Sequence, residues 1–136
     1  MKLSNLTITH GNVLVQTWVD NMAAEKIFEN KVKDYLKQEG CWYIKYWGGG
    51  MFTKSGIPDL LCCVNGYFMA IELKADNGKP SPLQLHCQEE IVTAGGLSIV
   101  LYPYEFEKFK RLVQRLKQQP CNTDVAITSY AFGVRR

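Results

Sequence analysis

The chain has 136 residues with 46% hydrophobic, 12% aromatic and 21% charged side chains. This is enough apolar material for one domain with a real core, and it excludes global disorder. Sixteen Lys and Arg against thirteen Asp and Glu give a net charge of +3, too small by itself to announce a nucleic-acid partner. The excess is confined to the end of the chain: residues 1–103 carry nine basic and ten acidic side chains, and residues 104–136 carry seven basic and three acidic.

The longest uninterrupted apolar runs, such as Leu60 to Val64, fall far short of the roughly 20 residues that span a bilayer. The opening Met1-Lys2-Leu3-Ser4-Asn5 has no continuous apolar stretch of the secretory type. A cytoplasmic protein with no membrane partner is expected. Five cysteines, Cys41, Cys62, Cys63, Cys87 and Cys121, include no Cys-x-x-Cys pair, and only His10 and His86 accompany them. No zinc site is expected, and Cys62 and Cys63, adjacent in an apolar run, read as small buried hydrophobes.

In chain order, Leu6–Thr9 and Val13–Gln16 are short β-type runs joined by His10-Gly11-Asn12 and suggest a hairpin or two edge strands. From Asp20 to Glu39 the apolar positions Phe28, Val32, Tyr35 and Leu36 recur at helical spacing, and Gly40 stands where a C-cap glycine belongs. Cys41–Trp47 reads as a strand, ended by Gly48-Gly49-Gly50 and a segment running through Lys54 to Pro58. Asp59–Val64 and Tyr67–Lys74 are two further strands joined by Asn65-Gly66, a type I′ signal that makes them antiparallel neighbours.

After the polar loop Ala75–Ser81, a helix is expected over Pro82–Ala94, with Pro82 suited to its first turn and Ser81 to its cap. Gly95-Gly96, a strand at Leu97–Tyr102 and a last helix at Tyr104–Gln119 follow. The tail Cys121–Arg136 offers one more strand at Val125–Ala131. Helix, three strands, helix, strand, helix is an α/β sandwich around one mixed sheet. The core is expected over residues 20–119, with 1–19 and 120–136 as additions.

The chemistry concentrates at one end of the central hairpin. Counting outward from the turn pairs Val64 with Tyr67 and sets Asp59 opposite Glu72. Glu72 and Lys74, two apart on a strand, share a face. Two acids and a lysine therefore converge. Such a group is either a plain edge salt bridge or a cation site, since a divalent ion relieves both the lost hydration and the carboxylate repulsion.

Gly56-Ile57-Pro58-Asp59, a hairpin, and then Ala70-Ile71-Glu72-Leu73-Lys74 resembles the PD-(D/E)XK nuclease superfamily, whose core runs helix, three strands, helix, strand. Phe28 to Pro103 is most similar to its VRR-NUC family, found in phage and bacterial proteins and as the catalytic domain of a eukaryotic repair nuclease. The resemblance implies a restriction-endonuclease-like core and hydrolysis of DNA phosphodiester bonds with Mg²⁺ or Mn²⁺. It implies Asp59, Glu72, the carbonyl of Leu73 and Glu29 as metal ligands, Lys74 as the catalytic lysine, and Gln84 beside the site. Glu25 lies one turn from Glu29 on the same edge of the helix and is the alternative acid.

Where some superfamily members carry a tyrosine four residues after the glutamine, this chain has Gln88, which weakens an exonuclease reading. Stand-alone proteins of this type resemble Holliday-junction resolvases, which act on four-way junctions as homodimers. Less selective flap or duplex cutting, and DNA binding without catalysis, are the alternatives. Lys45 and Lys54 flank the triple glycine with Tyr46 and Trp47 between them and are candidates for the DNA backbone, as are Ser55 and Lys79. The last helix, with Lys108, Lys110, Arg111, Arg115 and Lys117, reads first as a solvated face.

Overall fold

A computed structural model describes residues 10–119. Helix α1 (His10–Gln38) leads into β1 (Trp42–Lys45), β2 (Leu60–Val64) and β3 (Tyr67–Leu73); α2 (Pro82–Thr93) then leads into β4 (Leu97–Leu101), and a 3-10 turn (Pro103–Glu105) opens α3 (Phe106–Gln118). The strands form one open sheet in the order β1-β2-β3-β4, antiparallel across the first two junctions and parallel across the third. The chain is thus an α/β fold with a mixed four-stranded sheet and, among the described residues, three α-helices.

Local chemistry accounts for the boundaries. Asn65 and Gly66 both have positive φ (50° and 88°), as a type I′ turn requires. The Asn65 side-chain amide also donates to the carbonyls of Leu116 and Lys117 (3.0 and 3.2 Å), covering acceptors that the end of α3 would otherwise leave open. Helix α1 stops in a Schellman motif, with Gly40 N–H on Lys37 and Cys41 N–H on Leu36; α2 stops in a second, with Gly95 on Val92 and Gly96 on Ile91. Ser81 caps α2 through a capping box with Gln84.

The core lies between one face of the sheet and the pair α1 and α3. Phe28, Val32 and Leu36 of α1 meet Leu60, Cys62 and Val64 of β2, Met69, Ile71 and Leu73 of β3, and Phe106, Phe109, Val113 and Leu116 of α3. Edge-on aromatic contacts of Phe28 with Phe106 and of Tyr35 with Phe106 and Phe109 lock the two helices together. By the period-two alternation of β3, Phe68, Ala70 and Glu72 face the other way, toward α2.

One expectation is overturned. Val13–Gln16 is not a strand: helix α1 begins at His10, ten residues before the expected start at Asp20. The β-branched pair Val13 and Val15 raised the local strand propensity, but the helix nucleated on the buried stripe further along simply continues upstream. Leu6–Thr9 and Val125–Ala131 lie outside the described residues. The cysteines fit the sequence reading in part: Cys62 is buried, Cys63 exposed. No helix among the described residues is long and apolar enough to cross a membrane.

Candidate functional site

The β2–β3 register runs from Val64↔Tyr67 to Leu60↔Ile71. One more step sets Asp59 opposite Glu72. Asp59 lies just before β2, and its carbonyl accepts from Tyr46 N–H at 2.8 Å, so the ladder to the β1 side extends past the last strand residue. Its carboxylate is held from two sides: Oδ2 accepts from the backbone N–H of Leu73 at 2.8 Å, and Oδ1 accepts from the Lys45 ammonium at 2.9 Å.

Glu72 is 1% exposed, deep for a carboxylate. Its Oε1 receives the Lys74 ammonium at 2.6 Å and the side-chain amide of Gln84, while Oε2 is buried with no hydrogen-bond partner. Burial pushes the Glu72 carboxyl up, the contact with Lys74 pulls it back, and the negative fields of Asp59 and Glu25 push it up again; the net direction is upward. Gln84 serves two masters. Its Oε1 accepts from Ser81 N–H at 2.7 Å in the capping box, so the start of α2 fixes the amide that reaches Glu72.

Glu29, 6% exposed, is surrounded by ammonium groups. Oε1 accepts from Lys26 and Lys33, each at 3.0 Å, and Oε2 from Lys45 at 2.9 Å. Burial favours its neutral form, but the hydrogen bonds from Lys45, Lys33 and Lys26 outweigh it and hold the carboxyl down at about 2. Lys45 also loses hydration, yet Glu29 and Asp59 more than compensate and raise its pKa. Glu25, the alternative acid of the same helix, accepts from Ala75 N–H at 3.3 Å, just after Lys74. Both α1 acids thus stand at the end of the sheet, Glu29 on the Asp59 side and Glu25 on the Lys74 side.

Asp59, Glu72, Leu73, Lys74, Gln84, Glu29 and Lys45 are therefore one connected cluster. The remaining basic candidates stand apart from it. Lys54 is exposed and pairs with Glu90 of α2 at 3.0 Å, and Ser55 and Lys79 are exposed on loops. Lys45, read from sequence as a DNA contact, instead bridges Glu29 to Asp59, and its ammonium lies 5.7 Å from the ring centre of the exposed Trp47.

The carboxylate repulsion that invited a cation is already relieved by Lys45 and Lys74. Among the described residues no three acidic, histidine or cysteine side chains close on a single point: Glu29, Asp59 and Glu72 are each turned onto a lysine. The sequence offered the Glu72–Lys74 salt bridge as the alternative to a cation site, but the neutralisation by Lys45, Lys26 and Lys33 was missed; the spacing of Lys26, Glu29 and Lys33, three and four residues apart on a helix, was the available signal for the last two. The cluster is an open sheet end. A cavity of about 200 Å³ beneath β4, lined by Ile99, Leu101, Phe109 and Leu112 among others, does not include it.

Comparison with protein-family models, curated proteins and solved structures finds no match. The functional reading rests on the residues themselves.

Proposed function

We propose that the protein is a metal-dependent, structure-specific DNA endonuclease with a restriction-endonuclease-like core, acting on four-way junctions as a homodimer. One observation supports the metal site: Glu72, almost wholly buried, keeps one carboxylate oxygen with no protein partner while Lys74, Gln84 and Asp59 surround it; the DNA substrate, the junction and the homodimer come from the resemblance in the sequence. A buried acceptor of this kind costs stability unless something satisfies it.

A hard divalent cation fits the donor set. Mg²⁺ and Mn²⁺ prefer oxygen ligands and bind through one or two carboxylates with waters retained. Asp59, Glu72 and the carbonyl of Leu73 would hold the ion, with Glu29 reaching it only on giving up Lys45. When bound, it supplies a more acidic water and stabilises negative charge on an attacked phosphate.

The chain's own residues do the rest. The Leu73 N–H fixes the rotation of Asp59. Gln84 fixes Glu72 from the start of α2. Lys74, 15% exposed and 2.6 Å from Glu72, is held at the mouth of the site, where its ammonium orients the attacking water and offsets the charge on the phosphate. Trp47, 74% exposed, offers a flat apolar surface beside the cluster on which a base can stack.

The test is cleavage of labelled four-way junctions, flaps and duplex in Mg²⁺ and in Mn²⁺. Junction cutting by the wild type and its loss in Asp59→Ala and Lys74→Ala, both still folded by circular dichroism, is the expected result. No cutting of any DNA with either metal would refute the proposal. Preference for flaps or duplex would redirect it to a repair or restriction type of nuclease, and sedimentation as a monomer at micromolar concentration would remove the homodimer.

A further inference from the structure

The four acids at the sheet end stand among four lysines, equal in number but unevenly shared. Glu29 is met by Lys26, Lys33 and Lys45, Asp59 by Lys45, and Glu72 by Lys74; Glu25 faces the backbone of Ala75. Four carboxylates and four ammoniums leave this end of the molecule without net charge. Within that set Lys45 differs from the others. Lys26 and Lys33 touch Glu29 alone, and Lys74 touches Glu72 alone. Only Lys45 joins carboxylates from two separate elements, the α1 acid and the acid before β2, at the same distance of 2.9 Å.

We propose that the Lys45 ammonium occupies the Asp59 and Glu29 oxygens that a divalent cation seated beside Glu72 must take, so that metal entry must displace it and Lys45 sets the metal affinity. This rests on the nuclease reading above.

The geometry gives the reason. Asp59 has two oxygens, one committed to the Leu73 N–H and the other to Lys45. Glu29 has likewise committed one oxygen to Lys26 and Lys33 and the other to Lys45. The oxygens that the two acids turn toward each other are those that Lys45 now bridges. Lys45 is the last residue of β1, an edge strand, and lies beside the exposed Trp47; its side chain keeps 17% of its surface exposed, the side from which a stronger cation can compete for its carboxylates. A monovalent ammonium with three donors satisfies both carboxylates in the metal-free protein, and a divalent ion competes for the same oxygens with twice the charge.

Calorimetric titration of the full chain with Mn²⁺ tests this without relying on cleavage. Lys45→Met removes the charge and keeps the aliphatic stem. It should bind Mn²⁺ at least about tenfold more tightly than the wild type, since the ion no longer has to displace an ammonium from Asp59 and Glu29. It should also melt at a lower temperature than the wild type in EDTA and at a similar or higher one in Mn²⁺. Lys33→Met, which loses a contact to Glu29 but none to Asp59, should bind Mn²⁺ as the wild type does.

If Asp59-dependent Mn²⁺ binding is present but Lys45→Met binds equally or more weakly, the displacement idea is wrong and the nuclease reading stands. If Asp59→Ala binds Mn²⁺ as well as the wild type, both fall. Should Lys45→Met fail to fold, Lys45→Gln, neutral yet able to donate to both carboxylates, carries the same expectation.

Discussion

Two buried glutamates of this site pull in opposite directions as pH changes. Glu29 has its carboxyl lowered from 4.5 to about 2 despite burial, because three lysines hydrogen-bond its charged form. Its folded pKa lies below its unfolded one. The stability it contributes is therefore full above pH 4.5 and lost as pH falls through 2. Glu72 is shifted upward, chiefly by burial. Its charged form is disfavoured in the fold, so the stability it contributes is present at low pH and lost as pH rises through the raised folded value.

Urea denaturation across pH should separate them. Glu29→Gln is expected to be less stable than the wild type at pH 6 and to converge with it toward pH 2. Glu72→Gln should gain on the wild type as pH rises from 4 to 8 while losing nuclease activity, the sign of a residue kept for chemistry at a cost in stability. A Glu72→Gln curve that runs parallel to the wild type across this range would mean that Lys74 and Gln84 already compensate its burial in full.

At the scale of the elements, two glycines distinguish a turn that needs only conformation from one that also needs space. Gly95 ends α2 with φ +92° and nothing within 4 Å of an added Cβ, so Gly95→Ala should cost about 1 kcal/mol, the price of a left-handed alanine. Gly56, before the Pro58-Asp59 step, has φ +80°, and a Cβ there would lie 2.5 Å from the backbone carbonyl oxygen of Leu83. Neither backbone can yield cheaply, and the loop is pressed against the start of α2 where Gln84 reaches for Glu72. Gly56→Ala should cost at least about 2 kcal/mol in thermal or urea melts and lower nuclease activity beyond the loss of folded protein. Equal costs for the two substitutions would show that the loop moves aside.

These elements also mark what could be read in advance. The Asn65-Gly66 turn, the Gly40 stop and the Ser81-Pro82 start are local signals, and each is where the sequence put it. The register counted from the turn carried the Asp59–Glu72 juxtaposition with it. The first ten residues of α1, His10 to Val19, were missed because residues 13–19 are exposed all round; with no buried face there is no apolar period, and the run Val13-Leu14-Val15 reads as a strand. The two ion pairs of Lys45 were not legible for a different reason. Its partners lie sixteen and fourteen residues away, and only the pairing of β1 with β2 and the packing of α1 against the sheet end bring them together. Nothing local distinguishes a lysine that will face DNA from one that will neutralise two acids.

For the molecule as a whole, the balance of charge at the sheet end predicts a direct link between metal and stability. Lysines and backbone N–H groups satisfy the acids of the cluster except at Glu72 Oε2, so the fold should form without a cation and the ion should add to a structure already present. A ligand bound only by the native state stabilises it by RT ln(1 + [L]/Kd), about 2.7 kcal/mol at a hundredfold excess over Kd. For a chain of 136 residues this corresponds to a rise in Tm of roughly 10 °C. Melting the wild type in EDTA and then in saturating Mn²⁺ should show a cooperative transition in both and the rise in the second. Asp59→Ala should melt cooperatively in EDTA with little or no rise on adding Mn²⁺, because the carboxylate common to every proposed ligand set is gone. A chain that melts cooperatively only in metal would contradict the self-neutralised site, since its acids would then need the cation in order to fold.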